Sequence, residues 1–305
     1  MIKIILLTGF LGSGKTTLLE RLLQHFDDTP IGLIVNEFGE INIDARLIEK
    51  DGIPMSELSN GSIFCACIKE NFVKAIIKMS SREIEYLLIE ASGLADPSSM
   101  GQILQAIKAE TVHPCRYCGS LCVLDGEAFL ELESVLPAVR KQLTYAGAAI
   151  VNKEDLINDE VKSKILNVVK TVNPNVPIYF TSYCNLDIAQ LFRQIKPSEV
   201  TSKASSNTPE NRPQTFILKI LNHITLDELQ GFLKFIAPYT YRIKGFAKVG
   251  DTDYTVSGVR SHMLILPWPG KTSCSEIVLI SSVGIGITSV IANGIKRYAP
   301  LAIKL

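Results

Sequence analysis

The sequence predicts an α/β fold, in which a mainly parallel sheet covered by helices is followed by a smaller α+β domain. Short apolar runs alternate with longer segments that place their apolar residues on one helical face. The alternation stops at residues 197–213, a polar segment rich in Ser, Thr and Pro that is typical of a flexible linker. We therefore predict a first domain over residues 1–196 and a second over residues 214–305.

The first domain contains six apolar runs of the length that buried parallel strands have. These predicted strands are 2–8, Ile31–Val35, Tyr86–Ile89, Ser120–Leu124, Ala148–Val151 and Val176–Phe180. A helix follows the first strand, with apolar residues from Leu18 to Phe26 spaced along one face. Further helices are predicted near 70–80, 98–109, 127–145 and 157–171. Strands and helices in this order favour a parallel sheet with helices on both faces.

The second domain mixes strands and helices without regular alternation, which favours an α+β arrangement. Strands are predicted at Thr215–Ile220, near 241–249, 253–257 and 263–266, and at Ile277–Ile280. One helix is predicted over Thr225–Ile236 and a terminal helix near 287–298.

Charge and hydropathy exclude several classes of protein. The 31 basic residues balance 31 acidic ones, which excludes a strongly basic nucleic-acid binder. No apolar run reaches the roughly 18 residues that a membrane-spanning helix needs, because polar residues interrupt Ile277–Ala292. No cleavage-site pattern follows the first apolar run, so we expect a cytoplasmic chain. From the charge balance and the apolar runs, we expect this chain to bind neither nucleic acid nor membrane. The seven cysteines are accordingly expected to be reduced.

The segment Gly9–Thr16 matches the phosphate-binding loop Gly-x4-Gly-Lys-[Ser/Thr], and lies between a predicted strand and a predicted helix. Glycines allow the backbone to wrap around phosphates, and the helix N-terminus supplies positive potential. We expect Lys15 to contact the β- and γ-phosphates and Thr16 to hold Mg²⁺. The predicted nucleotide-binding residues of this loop are Gly12, Ser13, Gly14, Lys15, Thr16 and Thr17. The first domain is thus predicted to be a P-loop NTPase.

A second motif predicts which base is bound. Asn152, Lys153 and Asp155 follow an apolar strand in the pattern Asn-Lys-x-Asp. The Asp155 carboxylate can accept two hydrogen bonds from guanine N1 and N2, a pair of donors that adenine lacks. The motif follows the phosphate-binding loop by about 140 residues, at the end of a predicted sheet strand. We therefore predict that the chain binds GTP and GDP.

A third motif, Glu90–Pro97, follows the strand Tyr86–Ile89. Glu90 is placed to orient Mg²⁺ or its water shell, and the Gly93 N–H can meet the γ-phosphate and move on hydrolysis. The segment Asn36–Glu40 would be the corresponding first switch region, although its spacing alone is a weak signal. Because no general base is evident, we expect slow intrinsic GTP hydrolysis.

Together the motifs resemble the CobW branch of the CobW/HypB/UreG GTPases. The resemblance covers residues 1 to about 196 in order, and beyond the linker it extends to Arg242–Phe246. It is carried by Gly9–Thr17, Asn36–Glu40, Glu57–Gly61, Glu90–Pro97 and Asn152–Asp155. The resemblance implies a GTP-dependent metallochaperone or insertase, mostly for zinc or cobalt, with links to cobalamin synthesis. It also implies a client metalloprotein or corrinoid enzyme, a nucleotide-dependent homodimer, and Glu40 as a metal ligand.

One departure from that family concerns the metal ligands. The branch usually carries Cys-x-Cys-Cys after the Asn-Gly pair, and the matching positions here are Ser62, Phe64 and Cys65. Two of the three thiols are therefore missing, although Cys67 lies two residues further on.

A further pair, Cys115 and Cys118, has the Cys-x2-Cys spacing of metal-binding turns. With Cys65 and Cys67 it would supply four thiolates, enough for a tetrahedral Zn²⁺ site or an iron–sulfur cluster. Ordinary packing of small apolar side chains and redox chemistry remain alternative roles for these cysteines.

The sequence leaves more than one function open. The first is a GTPase that couples nucleotide state to the handling of a transition metal or a metal cofactor. The second is a GTP-switched assembly or reactivation factor for a corrinoid- or metal-dependent enzyme, which would bind no free metal. The third is an iron–sulfur or redox protein with a GTPase module.

Overall fold

The structure is a computed structural model that describes residues 1–26, 29–36, 53–58, 69–196, 213–221, 223–259, 262–270, 275–300 and 302–305. It divides into two compact units, Met1–Glu210 and Asn211–Leu305. Of the predicted linker, 197–213, only Pro213 is among the described residues. The domain boundaries predicted from the sequence, 1–196 and 214–305, therefore stay a prediction.

A seven-stranded parallel sheet forms the centre of the first unit. Its strands are β1 (Ile2–Gly9), β2 (Ile31–Asn36), β3 (Met55–Leu58), β4 (Tyr86–Glu90), β5 (Cys115–Asp125), β6 (Ala148–Asn152) and β7 (Ile178–Phe180). Its helices are α1 (Lys15–His25), α2 (Lys69–Ser80), α3 (Met100–Ile107), α4 (Phe129–Val135), α5 (Pro137–Thr144), α6 (Asp159–Val172) and α7 (Ile188–Gln194). The strand order is β3-β2-β4-β1-β5-β6-β7. The predicted parallel α/β architecture is therefore confirmed.

Both faces of this sheet are buried, as the continuous apolar runs predict. Ile5 and Leu7 of β1 belong to one core cluster with Leu18 and Leu22 of α1. Ile4, one residue along β1, belongs to a second cluster that contains residues of α2 and α3. Because side chains alternate along a strand, β1 contributes to both clusters. The carboxyl end of β1 lies at the edge of the sheet where the motif residues lie.

Several details of the first unit differ from the sequence-based expectation. The strand β3 (Met55–Leu58) and the helix α7 (Ile188–Gln194) were not predicted. The helix predicted over 127–145 is two helices, α4 and α5, with Pro137 in the first turn of α5. Proline lacks an N–H and fits only the first turn of a helix, so it ends the preceding helix and begins the next. β5 begins at Cys115, five residues before the predicted strand Ser120–Leu124.

The second unit is built on a six-stranded antiparallel sheet. Its strands are β8 (Thr215–Ile220), β9 (Thr240–Val249), β10 (Thr252–Val259), β11 (His262–Pro267), β12 (Glu276–Ser281) and β13 (Ile303–Lys304), in the order β11-β10-β9-β12-β8-β13. The helices α8 (Leu226–Ile236) and α9 (Ile287–Tyr298) pack with it around a core that includes Phe232 and Ile291. Thr225 and Glu228 form a capping box at the start of α8. The predicted elements of this unit are present.

No helix in the described parts of the chain is both long enough and apolar enough to span a membrane.

Cys115 and Cys118 do not form the metal-binding turn that their spacing suggests. Both belong to β5, where Cys118 is the extra residue of an irregularity between Tyr117 and Gly119, the partners of Ile4 and Ile5. Cys115 packs against the cluster that contains Ile4, whereas Cys118 packs against the cluster that contains Ile5. The two sulfurs therefore lie on opposite faces of the sheet and cannot chelate one metal ion.

We predict that Cys115→Ser and Cys118→Ser leave the amount of Zn²⁺ bound per chain unchanged in an anaerobic titration. Besides the geometry, burial raises the pKa of both thiols, so the thiolate that a metal requires forms only at higher pH. The variants for comparison are Cys65→Ser and Cys67→Ser, which remove the two thiols that stay predicted metal ligands. Both positions lie outside the described residues. Loss of a full equivalent of Zn²⁺ from either β5 variant would contradict the placement of these side chains.

Candidate nucleotide site

The predicted phosphate-binding loop connects β1 to α1 at the carboxyl end of the sheet. Gly14 caps α1 with a φ of 109°, a left-handed conformation that glycine adopts without strain. A Cβ atom at Gly14 would overlap the Asn152 side-chain amide, so close packing also requires glycine here. Lys15 is buried, and its Nζ donates a hydrogen bond to Phe10 O at 3.2 Å, across the loop. The buried Ser13 Oγ has no hydrogen-bond partner among the described residues.

Two oxygen-bearing side chains meet beside this loop. Thr16 Oγ1 donates a hydrogen bond to Glu90 Oε1 at 3.2 Å, and Glu90, at the end of β4, is 3% exposed. The parallel pairing of β1 with β4 places Leu7 opposite Glu90, which brings the glutamate to the start of the phosphate-binding loop. The structure thus joins two residues that are 74 positions apart in the sequence and that the motifs predict to act together.

Asn152 connects the phosphate-binding loop to the loop that follows β7. Its Nδ2 donates to Ser13 O at 2.9 Å, and its Oδ1 accepts from Cys184 N at 3.0 Å. Asn152 is 4% exposed, so both hydrogen bonds satisfy amide atoms that are shielded from water. The first residue of the Asn-Lys-x-Asp motif therefore fixes the relative position of two loops.

The other two residues of that motif differ in environment. Lys153 has a φ of 62°, and its Nζ lies 2.6 Å from Asp125 Oδ2 at the end of β5. Asp155 is exposed, and its backbone N–H donates to Ser182 Oγ at 3.2 Å. Its carboxylate can therefore meet a ligand while its backbone is held.

The loop after β7 is a part of the site that the motifs did not predict. Thr181 O accepts a hydrogen bond from Glu154 N at 3.0 Å, so this loop holds the Asn-Lys-x-Asp segment along its length. Tyr183 and Cys184 have φ values of 54° and 50°, which are strained for residues with side chains. Cys184 Sγ lies 3.5 Å from Gly14 O, and burial raises the pKa of this thiol to about 12. The position of this loop at the carboxyl end of a parallel strand is the signal that would have found it.

Gly93 lies in the turn after β4 and packs against the phosphate-binding loop. A Cβ atom at Gly93 would lie 2.6 Å from side-chain atoms of Leu11. Only glycine allows the two segments to approach this closely.

The structure thus brings together the predicted residues of the phosphate-binding loop, Glu90, Gly93 and the Asn-Lys-x-Asp motif. Glu40, Cys65 and Cys67 lie outside the described residues. Cys115 begins β5, whereas the phosphate-binding loop follows the carboxyl end of the neighbouring β1. Within the part of the chain that the structure describes, no group of three or more His, Cys, Asp or Glu side chains is arranged to hold a metal ion.

Comparison with known proteins finds named relatives of similar sequence. The chain is 30% identical to the zinc chaperone YjiA of Escherichia coli over 198 residues, 63% of this chain and 61% of that protein. It is 30% identical to the zinc-regulated GTPase metalloprotein activator 1 of Saccharomyces cerevisiae over 239 residues, 68% of this chain and 55% of the relative. It is also 30% identical to the zinc chaperone CobW of a Sinorhizobium species over 194 residues. The chain spans between 54% and 61% of the length of these three relatives.

Solved structures of similar fold include the Zn(II)-bound YjiA GTPase of E. coli, with a TM-score of 0.48, 19% identity, and coverage of 97% of this chain and 98% of that one. HypB of Helicobacter pylori in complex with nickel has a TM-score of 0.46 and 20% identity, and covers 65% of this chain and 90% of its own. A family model described as the CobW/HypB/UreG nucleotide-binding domain matches residues 3–180. These residues include the whole nucleotide site up to β7, and the chain belongs to the CobW/HypB/UreG family.

Proposed function

We propose that this chain binds and hydrolyses GTP and uses its nucleotide state to handle or insert a transition metal or a metal cofactor. The observation that carries the proposal is the hydrogen-bonded junction at Asn152, which unites a phosphate-binding loop with a guanine-recognition motif. Both motifs lie within the residues matched by the family model. The zinc-related names of the three relatives support zinc as the proposed cargo.

Each half of the nucleotide has proposed partners. The diphosphate would bind the backbone of Gly12–Thr17, with Lys15 exchanging Phe10 O for a phosphate oxygen. The guanine base would bind the exposed Asp155 carboxylate. Asn152 and Lys153 would fix the loop that contains Asp155 through their contacts with Ser13 O and Asp125. The Gly93 N–H is the proposed contact for the γ-phosphate. Its backbone flexibility suits a segment that changes conformation on hydrolysis.

The donor atoms near Thr16 fit Mg²⁺. Thr16 Oγ1 and the buried Glu90 carboxylate offer only oxygen, the ligand type that this hard cation prefers. Thr16 would bind the ion directly and Glu90 would orient its water shell. Bound Mg²⁺ neutralises charge on the β- and γ-phosphates during phosphoryl transfer.

The proposed setting is the cytoplasm, and the proposed partner is a client metalloprotein that receives the metal. A homodimer whose assembly depends on nucleotide belongs to the same proposal. Because the predicted thiols Cys65 and Cys67 lie between the two proposed switch segments in sequence, metal affinity and nucleotide state are expected to be linked.

Asp155→Ala should lower the affinity for GDP by about 30- to 150-fold, equivalent to about 2–3 kcal/mol, because a charged bidentate interaction with guanine is lost. Asp159→Ala, which removes a nearby exposed carboxylate, is the matched control and should leave the affinity unchanged. Isothermal titration with GDP and ADP measures both effects. Equal affinity of the unaltered protein for the two nucleotides would refute the guanine assignment.

Lys15→Ala and Thr16→Ala should each lower Mg²⁺-dependent GTP hydrolysis by about 100-fold or more, because one removes charge at the transferred phosphate and the other removes a metal ligand. Circular dichroism should be unchanged, since neither side chain belongs to the apolar core. Lys162→Ala, which removes a lysine that pairs with Glu154, is the control. Full turnover by either loop variant would disprove the proposed mechanism.

Metal handling is tested by competing the protein against a Zn²⁺ chelator in the presence of GDP or a non-hydrolysable GTP analogue. The two states should differ in Zn²⁺ affinity by at least about fivefold, the lower end of allosteric coupling between sites. Cys65→Ser and Cys67→Ser should abolish the difference. The same weak Zn²⁺ affinity in both nucleotide states would instead favour a factor that binds only its client protein.

A further inference from the structure

The turn after β4 is held by a side chain outside every motif that the sequence analysis identified. Gln142 of α5 is 1% exposed, and its Nε2 donates to Gly93 O at 3.2 Å and to Ala95 O at 2.9 Å. Both amide hydrogens are thereby directed at backbone carbonyls of one turn. These two contacts fix the peptide groups that follow Gly93 and Ala95.

The residue before Gln142 holds the end of the same turn. Lys141 Nζ lies 2.8 Å from Asp96 Oδ2, and Asp96 is completely buried. The other oxygen, Asp96 Oδ1, accepts a hydrogen bond from Ser98 N at 3.1 Å and so caps the short helix Pro97–Ser99. Consecutive residues of α5 therefore bind three successive points of the turn, at Gly93, Ala95 and Asp96.

The opposite side of the turn contacts the phosphate-binding loop. Gly93 packs so closely on Leu11 that a single added carbon at Gly93 would meet Leu11 backbone and side-chain atoms. The turn is thus enclosed between the phosphate-binding loop and α5. Glycine restricts its own backbone least, so the hydrogen bonds from Gln142, together with the one from Ala95 N to Ser92 O at 3.0 Å, hold the backbone of this turn.

Several polar atoms around this turn are buried without a hydrogen bond. Among the described residues, no partner is present for Ser92 Oγ, Ser98 Oγ, Ser99 Oγ or Gln142 Oε1. Native structures bury few of these atoms, and four of them lie around this one turn.

We propose that Gln142 is a positioning residue for GTP hydrolysis, which fixes the Gly93 turn in the conformation that meets the terminal phosphate. The inference rests on the proposed function, because it assigns a role to Gln142 only if GTP binds at the phosphate-binding loop. Gln142 itself donates to backbone carbonyls of the turn. Its removal should therefore alter properties that depend on the γ-phosphate and spare those that depend on guanine and the diphosphate.

The test compares Gln142→Glu with Asn173→Asp. Gln142→Glu keeps the size of the side chain and replaces a donating amide by a carboxylate that faces two carbonyl oxygens. Asn173 is the matched control, because its Nδ2 donates to Leu143 O, Thr144 O and Ala146 O at the C-terminal end of α5 and not to the carbonyls of the Gly93 turn. Asn173→Asp makes the same chemical change away from the Gly93 turn. Gln142→Met, which removes the donors without adding charge, serves if Gln142→Glu does not fold.

For Gln142→Glu or Gln142→Met we expect GTP turnover to fall by about tenfold or more, together with the ratio of GTP-analogue affinity to GDP affinity. GDP affinity itself should stay within about threefold of the unaltered protein, and Asn173→Asp should change none of the three. A parallel loss of GDP and GTP-analogue affinity, or an equal effect of Asn173→Asp, would overturn the inference and leave Gln142 a structural residue. Failure of the unaltered protein to bind GTP would instead refute the proposed function.

Discussion

The nucleotide site depends on the buried amide of Asn152, which joins segments that no strand pairing connects. Its two hydrogen bonds, to Ser13 O and from Cys184 N, use both polar atoms of one side chain. A buried amide that loses either partner pays the desolvation cost of the unpaired atom, so neither loop can shift independently of the other. The phosphate-binding loop and the loop after β7 are therefore positioned as one body, although 139 residues separate Ser13 from Asn152.

The strands buried on both faces were predicted closely, and β8 (Thr215–Ile220) was predicted with its observed bounds. β1, β4 and β6 are continuous apolar runs, and their predicted bounds differ from the observed ones by one residue. The first half of β5 was missed because polar and charged residues interrupt Cys115–Gly119. This half contains the irregularity that places Cys118 opposite no residue of β1, and periodicity cannot reveal such an irregularity. The same error produced the predicted Cys115/Cys118 metal pair. Two side chains three residues apart can point the same way from a turn, whereas in a regular strand they point to opposite faces of the sheet.

The candidate site was predictable wherever the residues that would bind one group of the ligand are consecutive in the sequence. A phosphate-binding loop or an Asn-Lys-x-Asp segment is contiguous because its backbone surrounds one group of the ligand. The supporting side chains are not contiguous with it, because the sheet brings them from other elements. Asp125 ends a neighbouring strand and binds Lys153, and Gln142 lies in an amphipathic helix where nothing in the local pattern distinguishes it from a solvent-facing glutamine. Such residues are identified only by three-dimensional contacts.

The Asn-Lys-x-Asp segment and the Gly93 turn differ in how completely their buried polar atoms are satisfied, and the phosphate-binding loop between them also contains a buried Ser13 Oγ without a partner among the described residues. Asn152 has partners for both amide atoms, whereas the Gly93 turn is surrounded by hydroxyl and amide oxygens without partners among the described residues. A fully satisfied hydrogen-bond network has a single low-energy arrangement. A partly satisfied network is stabilised when a ligand or a second conformation supplies the missing hydrogen bonds. Under the proposed function, GDP contains the guanine that the Asn-Lys-x-Asp segment would bind, and only GTP adds a phosphate next to the Gly93 turn. We expect such a site to retain both nucleotides and to respond structurally to the difference between them.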